Sequence, residues 1–284
     1  MKHDLIIKGG KLVTANETFS ADIGVKDGRI ATLGENLDGN DVINADNKLV
    51  MPGGIEAHCH IAQESANGIM TSDDYESGSI SAAFGGNSCF VPFAAQKKGE
   101  SIATTIDEYD RRAETKSVID YSYHLILTDP NKEVLDELPS AFERGITSFK
   151  VFMTSATRVS DAQFLDILTI ARRHGGLTMV HAENHDMLSW MSNALTQGGY
   201  TEPRYHAPAR PSLAEEEAIN RAISLSKLAN APLMIVHVST PKGAELVARA
   251  RMDGAFVFGE TCPQYLFLTR DDIDRPDLEG AKYI

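Results

Sequence analysis

The sequence predicts an α/β protein: a (β/α)8 barrel preceded by a small β unit. Three observations predict it. From Pro52 onward, apolar strand-like segments alternate with helical ones, the texture of a parallel sheet with right-handed crossovers. Several of those strands end on a histidine, and a barrel brings strand C-terminal ends to one mouth. Residues 1–51 differ: short apolar pieces split by Gly, Asn and Asp mark a separate β unit. The expected division is therefore 1–51 for the small β portion and 52–284 for the barrel. An open doubly wound sheet competes, but the Gly-rich phosphate loop that often marks it is absent.

In the first unit, DLIIKGG, KLVTAN, ADIGVKDGRIATLG and DVINADNKLVM supply the strands. Asp27-Gly28 between two apolar segments signals a tight hairpin. Seven strands follow: GGIEAHCHI, NSCFVPFA, YSYHLILT, TSFKVFMT, LTMVHAE, LMIVHVS and FVFGET. A closed barrel needs eight, so the last is expected beyond Ile284. Ser160 and Gln163 have capping-box spacing, Phe164, Leu165, Leu168 and Ala171 line one face behind them, and Gly175 closes the helix. Ser212 and Glu215 repeat that spacing at a second helix start. Further helices are expected over 73–84, 100–116, 132–144 and 241–253.

Composition limits the partners. A net charge of −13 with no Lys/Arg-rich block argues against nucleic acid and anionic membrane surfaces. No apolar run approaches the roughly 20 residues of a membrane span. The start, MKHDLIIKGGKLVTAN, lacks a signal-peptide pattern. Cys59, Cys89 and Cys262 are odd in number and widely spaced, which argues against a disulfide framework and for a cytoplasmic location.

The chemistry-bearing residues come next. In His58-Cys59-His60, strand alternation puts both imidazoles on one face and Cys59 on the other. A lone His-x-His is weak evidence for a metal. His181 in LTMVHAEN and His237 in LMIVHVST each end an apolar strand, where a hydrogen-bonded structural histidine is the ordinary reading. Together, three strands deliver histidine at the same end, and imidazole suits zinc and its neighbours. Lys150 lies inside the apolar strand TSFKVFMT, where an unpaired ammonium is costly. It either snorkels to the rim or carries a modification that makes it a ligand.

GGIEAHCH, SFKVFMT, MVHAEN, IVHVST and GETCPQYLFL, in that order, resemble the strand-end motifs of the amidohydrolase superfamily in its hydantoinase/dihydropyrimidinase branch. TSDDYESGSISAAFGGN and RPDLEGAKYI share the resemblance, which covers essentially the whole chain. It implies a TIM-type (β/α)8 barrel and a small β-sandwich assembled from both chain ends. The chain would then be C-terminally truncated, with an incomplete barrel. It implies that His58 and His60 bind one metal, that His181 and His237 bind a second, and that Lys150, carboxylated by CO2, bridges them. The ions would be two divalent metals, zinc by default, with manganese or cobalt also suited to these donors. The implied reaction is ring opening of a dihydropyrimidine or 5-substituted hydantoin to an N-carbamoyl amino acid by a metal-bridging hydroxide. The partner would be a small cyclic ureide or imide, and the full-length protein a homo-oligomer, commonly a tetramer. The branch's catalytic aspartate ends the eighth strand, so it falls beyond residue 284 and the fragment alone is expected to be inactive.

Besides the aspartate expected beyond Ile284, two departures from the branch stand out, at Ser155 and Glu56. Thr154-Ser155 follow the FM of the fourth-strand motif, where the branch carries an oxyanion-stabilising tyrosine at the second position. Glu56 replaces an aspartate before His-x-His, a mild change. Ala62 stands where dihydroorotases have a carboxylate-gripping arginine, which argues against that activity. An allantoinase-like ureide hydrolase remains an alternative. So does a non-catalytic scaffold relative, which retention of all five ligands within the chain disfavours. His124, His174, His185 and His206 are read as structural or surface residues, and Trp190 and Tyr200 as packing or pocket residues.

Overall fold

The computed structural model describes residues 2–65 and 68–284. It divides into two compact units, Met1–Ile55 with Gly86–Cys89, and Glu56–Gly85 with Phe90–Ile284.

The first unit holds seven short strands, β1 (His3–Lys8), β2 (Lys11–Val13), β3 (Thr18–Ser20), β4 (Asp22–Lys26), β5 (Arg29–Gly34), β6 (Gly39–Asn44) and β7 (Leu49–Val50). They form two sheets, ordered β5-β4-β1-β6 and β3-β2-β7. Asp27 and Gly28 turn the β4–β5 hairpin with φ of 51° and 71°, the paired left-handed conformations that Asp-Gly accepts at low strain. Ile6, Leu12 and Ile23 are buried, while Ile30, Leu33, Val42 and Ile43 stay exposed.

The second sheet runs β8 (Gly54–Cys59), β9 (Asn87–Ala95), β11 (His124–Ile126), β12 (Ser148–Phe152), β13 (Leu177–His181), β14 (Leu233–Ile235) and β15 (Val257–Gly259); the two-residue β10 (Asp120–Tyr121) also pairs with β9. The pairs from β9–β11 through β14–β15 are parallel. All seven expected strands are present. The helices are α1 (Tyr75–Phe84), α2 (Ile102–Ala113), α3 (Lys132–Glu143), α4 (Asp161–Arg173), α5 (His185–Gln197), α6 (His206–Ala209), α7 (Ser212–Ala229), α8 (Pro241–Met252) and α9 (Arg270–Ile273). Strand residues of odd and even parity separate. Phe149, Val151 and Val180 join the helix-facing core, while Phe93, Ile126, Met179 and Val236 form a second cluster. The sheet curls so far that His58 on the first strand meets Glu260, just past the last, at 2.8 Å. This is the incomplete (β/α)8 barrel the sequence predicts.

The Ser160–Gln163 capping box forms as read, and Gly175 follows α4 with φ of 74°. The second expected capping box does not. Pro211 is the N-cap of α7 without a side-chain bond, so Ser212 is already helical. Glu215 instead accepts bonds from Ser239 and Thr240, which open the turn before α8. Trp190 lies on α5 with 70% of its surface exposed, so it does not pack the core of this unit. No helix among the described residues is long and apolar enough to cross a membrane.

Candidate metal centre

The centre is built on strand alternation. In β12, Ser148, Lys150 and Phe152 share one face; in β13, Leu177, Met179 and His181 do. Phe93 of β9 lies beneath the group. Its ring stacks on His60 at 4.6 Å and meets His58 edge-on at 4.8 Å, and the Lys150 Nζ lies 4.9 Å above it. The His58 and His237 rings are 5.6 Å apart, and His181 and His237 4.6 Å. All five residues singled out in the sequence therefore converge.

Lys150 is 1% exposed, and no hydrogen bond or ion pair holds its ammonium among the described residues; the Phe93 and Phe152 rings lie 4.9 and 5.3 Å from its Nζ. Burial pulls it down to about 7, against the opposing influence of Glu260 and Cys262. It does not snorkel. Near neutral pH a substantial fraction is the free amine, the form that reacts with CO2.

Each of three histidines has one ring nitrogen committed. His58 donates through Nδ1 to Glu260 at 2.8 Å, His60 through Nδ1 to Gln63 Oε1 at 2.6 Å, and His181 through Nε2 to Glu183 at 2.6 Å. Carboxylate and amide oxygens only accept, so the imidazole must be the donor in every case. In the neutral rings this leaves lone pairs on His58 Nε2, His60 Nε2 and His181 Nδ1. The last faces His237 Nε2 at 3.0 Å. Burial takes His237 down to about 2, with the neighbouring His181, Lys150 and His58 acting in the same direction, so it is neutral throughout the ordinary pH range. Its backbone is left-handed, with φ of 40°, a strained conformation of the kind that clusters at functional sites.

Neutral imidazoles oriented by outer carboxylate or amide acceptors are the donor set of a divalent transition metal, so the residues fit the implied ions. Among the described residues no three His, Cys, Asp or Glu side chains close around a single point. Lys150, which that donor set lacks, lies in their midst. Burial pushes the Glu183 carboxyl up, but hydrogen bonds from His181 and Arg210 outweigh it and hold it at about 2. Glu183 therefore stays an anionic acceptor for His181.

Sequence reasoning missed these supporting residues. Glu183 lies two beyond His181 on the same strand parity, and Glu260 sits at the polar end of the seventh strand; neither position alone marks a partner for an imidazole. Gln63 and Phe93 carried no signal. His124 bonds Ser148 at 2.5 Å and the Ala57 carbonyl at 3.0 Å, so it ties three strands together as a structural residue. Glu56 accepts from the His58 backbone N–H at 2.8 Å. Ser155 adopts φ of 78° and its hydroxyl is engaged with Thr157, so it is turned into its own loop.

The fold and the cluster define a class: a (β/α) barrel that gathers four imidazoles and one buried lysine at its strand ends. Within that class, the chain is 43% identical to a D-hydantoinase of Geobacillus stearothermophilus, an alignment covering 98% of this chain and 60% of the relative. It is 41% identical to a D-hydantoinase of Rhizobium radiobacter, covering 99% and 62%. Among solved structures, dihydropyrimidinase from Brevibacillus agri superposes with a TM-score of 0.95 at 41% identity, covering 100% of this chain and 62% of that one. The chain thus spans about 60% of the length of the curated relatives it matches. No protein-family profile matches it. Over nearly its whole length the chain is thus similar to proteins named D-hydantoinase and dihydropyrimidinase.

Proposed function

We propose that this chain carries the metal centre of a cyclic-amide hydrolase, opening a dihydropyrimidine or 5-substituted hydantoin ring to an N-carbamoyl amino acid. The carrying observation is the buried, partnerless Lys150 ringed by His58, His60, His181 and His237. The homologues' names support the same reaction class. His58 and His60 hold one divalent ion and His181 and His237 the other. Zinc is the first expectation, with manganese or cobalt accepted by the same donors. Carboxylated by CO2 with loss of a proton, Lys150 would supply an anionic oxygen donor to the same ions. When bound, the ions supply Lewis acidity and lower the pKa of water. Glu260, Gln63 and Glu183 orient the imidazoles, and Phe93 and Phe152 wall the lysine from solvent. The proposed partner is a small cyclic ureide or imide rather than nucleic acid or membrane. A homo-oligomer, a tetramer, in the cytoplasm completes the reading.

The test is ring opening of dihydrouracil and 5-phenylhydantoin by the full-length protein, with divalent metal and bicarbonate. The expected result is hydrolysis of at least one, abolished by chelation. Two bound metals without turnover of either would move the substrate elsewhere; no bound metal would favour a scaffold role.

A further inference from the structure

The carboxylate behind His181 has a partner of its own. Glu183 Oε2 accepts from His181 Nε2 at 2.6 Å and, at the same oxygen, from a guanidinium N–H of Arg210. A glutamate has several rotatable side-chain bonds, and one hydrogen bond to an imidazole does not fix them all. Among the described residues, His181 and Arg210 are the donors to this carboxylate. The Glu183 side chain is 15% exposed and that of Arg210 41%, so water screens the contact only in part.

Arg210 arrives by a specific route. Between α5 and α7 the chain makes an excursion through a short 3-10 turn (Pro203–Tyr205) and α6, and Arg210 is its last residue before Pro211, the N-cap of α7. The start of α7 is fastened to the turn after β13. The Asn184 backbone N–H donates to the Ala214 carbonyl at 2.9 Å, and the Asn184 side-chain amide donates to Glu217 at 2.6 Å. Those bonds hold the Arg210 end of the excursion alongside Glu183. Arg204, earlier in the same excursion, pairs with Asp274 at 3.1 Å and moors it a second time. The first pair of histidines has no counterpart: among the described residues, neither Glu260 behind His58 nor the Gln63 amide behind His60 is held by an arginine side chain.

We propose that Arg210 is a positioning residue for the second pair: by holding Glu183 on His181 it fixes that imidazole with Nδ1 facing His237, and so sets the affinity of the second ion alone. The proposal rests on the metal-centre reading above. Without the guanidinium, Glu183 rotates off the ring, and a neutral imidazole that has lost its acceptor is no longer held to one tautomer. The other tautomer protonates the nitrogen that the ion needs.

The test uses the full-length protein with zinc and bicarbonate, comparing wild type, Arg210→Met and Arg210→Lys. Zinc is titrated against chelators of graded strength, and the histidine tautomers of the metal-free protein are read by long-range nitrogen–proton NMR. Arg210→Met is expected to weaken one zinc ion by about tenfold or more and leave the other unchanged. Arg210→Lys should fall between, retaining charge but losing the planar fork. In the metal-free spectra His181 is expected to be protonated at Nε2 in wild type and mixed in Arg210→Met, with His58 and His60 unmoved, which also shows that the variant is folded. Equal weakening of both ions, weakening of neither, or an unmoved His181 overturns the proposal. If Arg210→Met does not fold, Arg210→Lys carries the same comparison. If wild type binds no zinc, the metal-centre reading fails and the His181 spectrum decides the role of Arg210: a shifted tautomer upholds it, and an unmoved one overturns it as well.

Discussion

At the scale of single residues, Lys150 is a conflict between stability and purpose. An ammonium with 1% exposure and two phenyl rings for company destabilises the metal-free fold. Lys150→Met is expected to raise metal-free stability by about 1–3 kcal/mol in denaturant titration, and to abolish bound metal in elemental analysis. Glu183→Gln and Glu260→Gln are each expected to weaken metal affinity about 10–100-fold in chelator competition, because each removes the anion that orients a ligand imidazole. The residues that converge at the centre were legible, since histidine at a strand end and lysine inside an apolar strand are each out of place by composition. Their orienting partners were not. Glu183 and Glu260 look like ordinary polar residues at strand ends until the sheet curls. Phe93 reads as one more apolar strand residue until the imidazole stacked on it is seen.

At the scale of elements, strands and most helices were legible because period-2 and period-3.6 patterns differ and caps mark the ends. One misreading has a clear cause. A side chain at capping spacing was credited to its own helix when tertiary geometry assigns it elsewhere. Glu215 serves the loop after β14, holding the backbone N–H groups of Ser239 and Thr240 at 2.9 and 3.2 Å. Because that loop begins two residues after His237, Glu215→Ala is expected to cost about 1–3 kcal/mol in thermal unfolding and also to loosen the metal bound at His237. A helix over His185–Gln197 was not anticipated, although Met187, Leu188, Met191, Ala194 and Leu195 recur at helical spacing; of its residues Leu188 is buried. Asn184 starts it by accepting from the Asp186 and Met187 N–H groups.

For the whole molecule, the proposed ions bind side chains from both ends of the second unit, so their binding is linked to folding. Chelation is expected to lower the melting temperature of the full-length protein, with readdition of metal restoring it in proportion to ligand excess, about 2.7 kcal/mol at one hundred times Kd. The Lys150→Met protein should melt at the same temperature with and without chelator. The barrel class was legible because strand-end histidines make sense only where strand ends converge. The small return of Gly86–Cys89 to the first unit was not, because no composition shift marks four residues at the start of a strand.

The bond between His58 and Glu260 joins residues 202 positions apart. A contact of that span carries a large loop-closure entropy and forms only once the intervening chain is ordered. During synthesis the first pair of histidines therefore leaves the ribosome long before its orienting carboxylate. The nascent chain exposes imidazoles with no fixed tautomer, and the proposed metal would find its selective geometry among the last events of maturation.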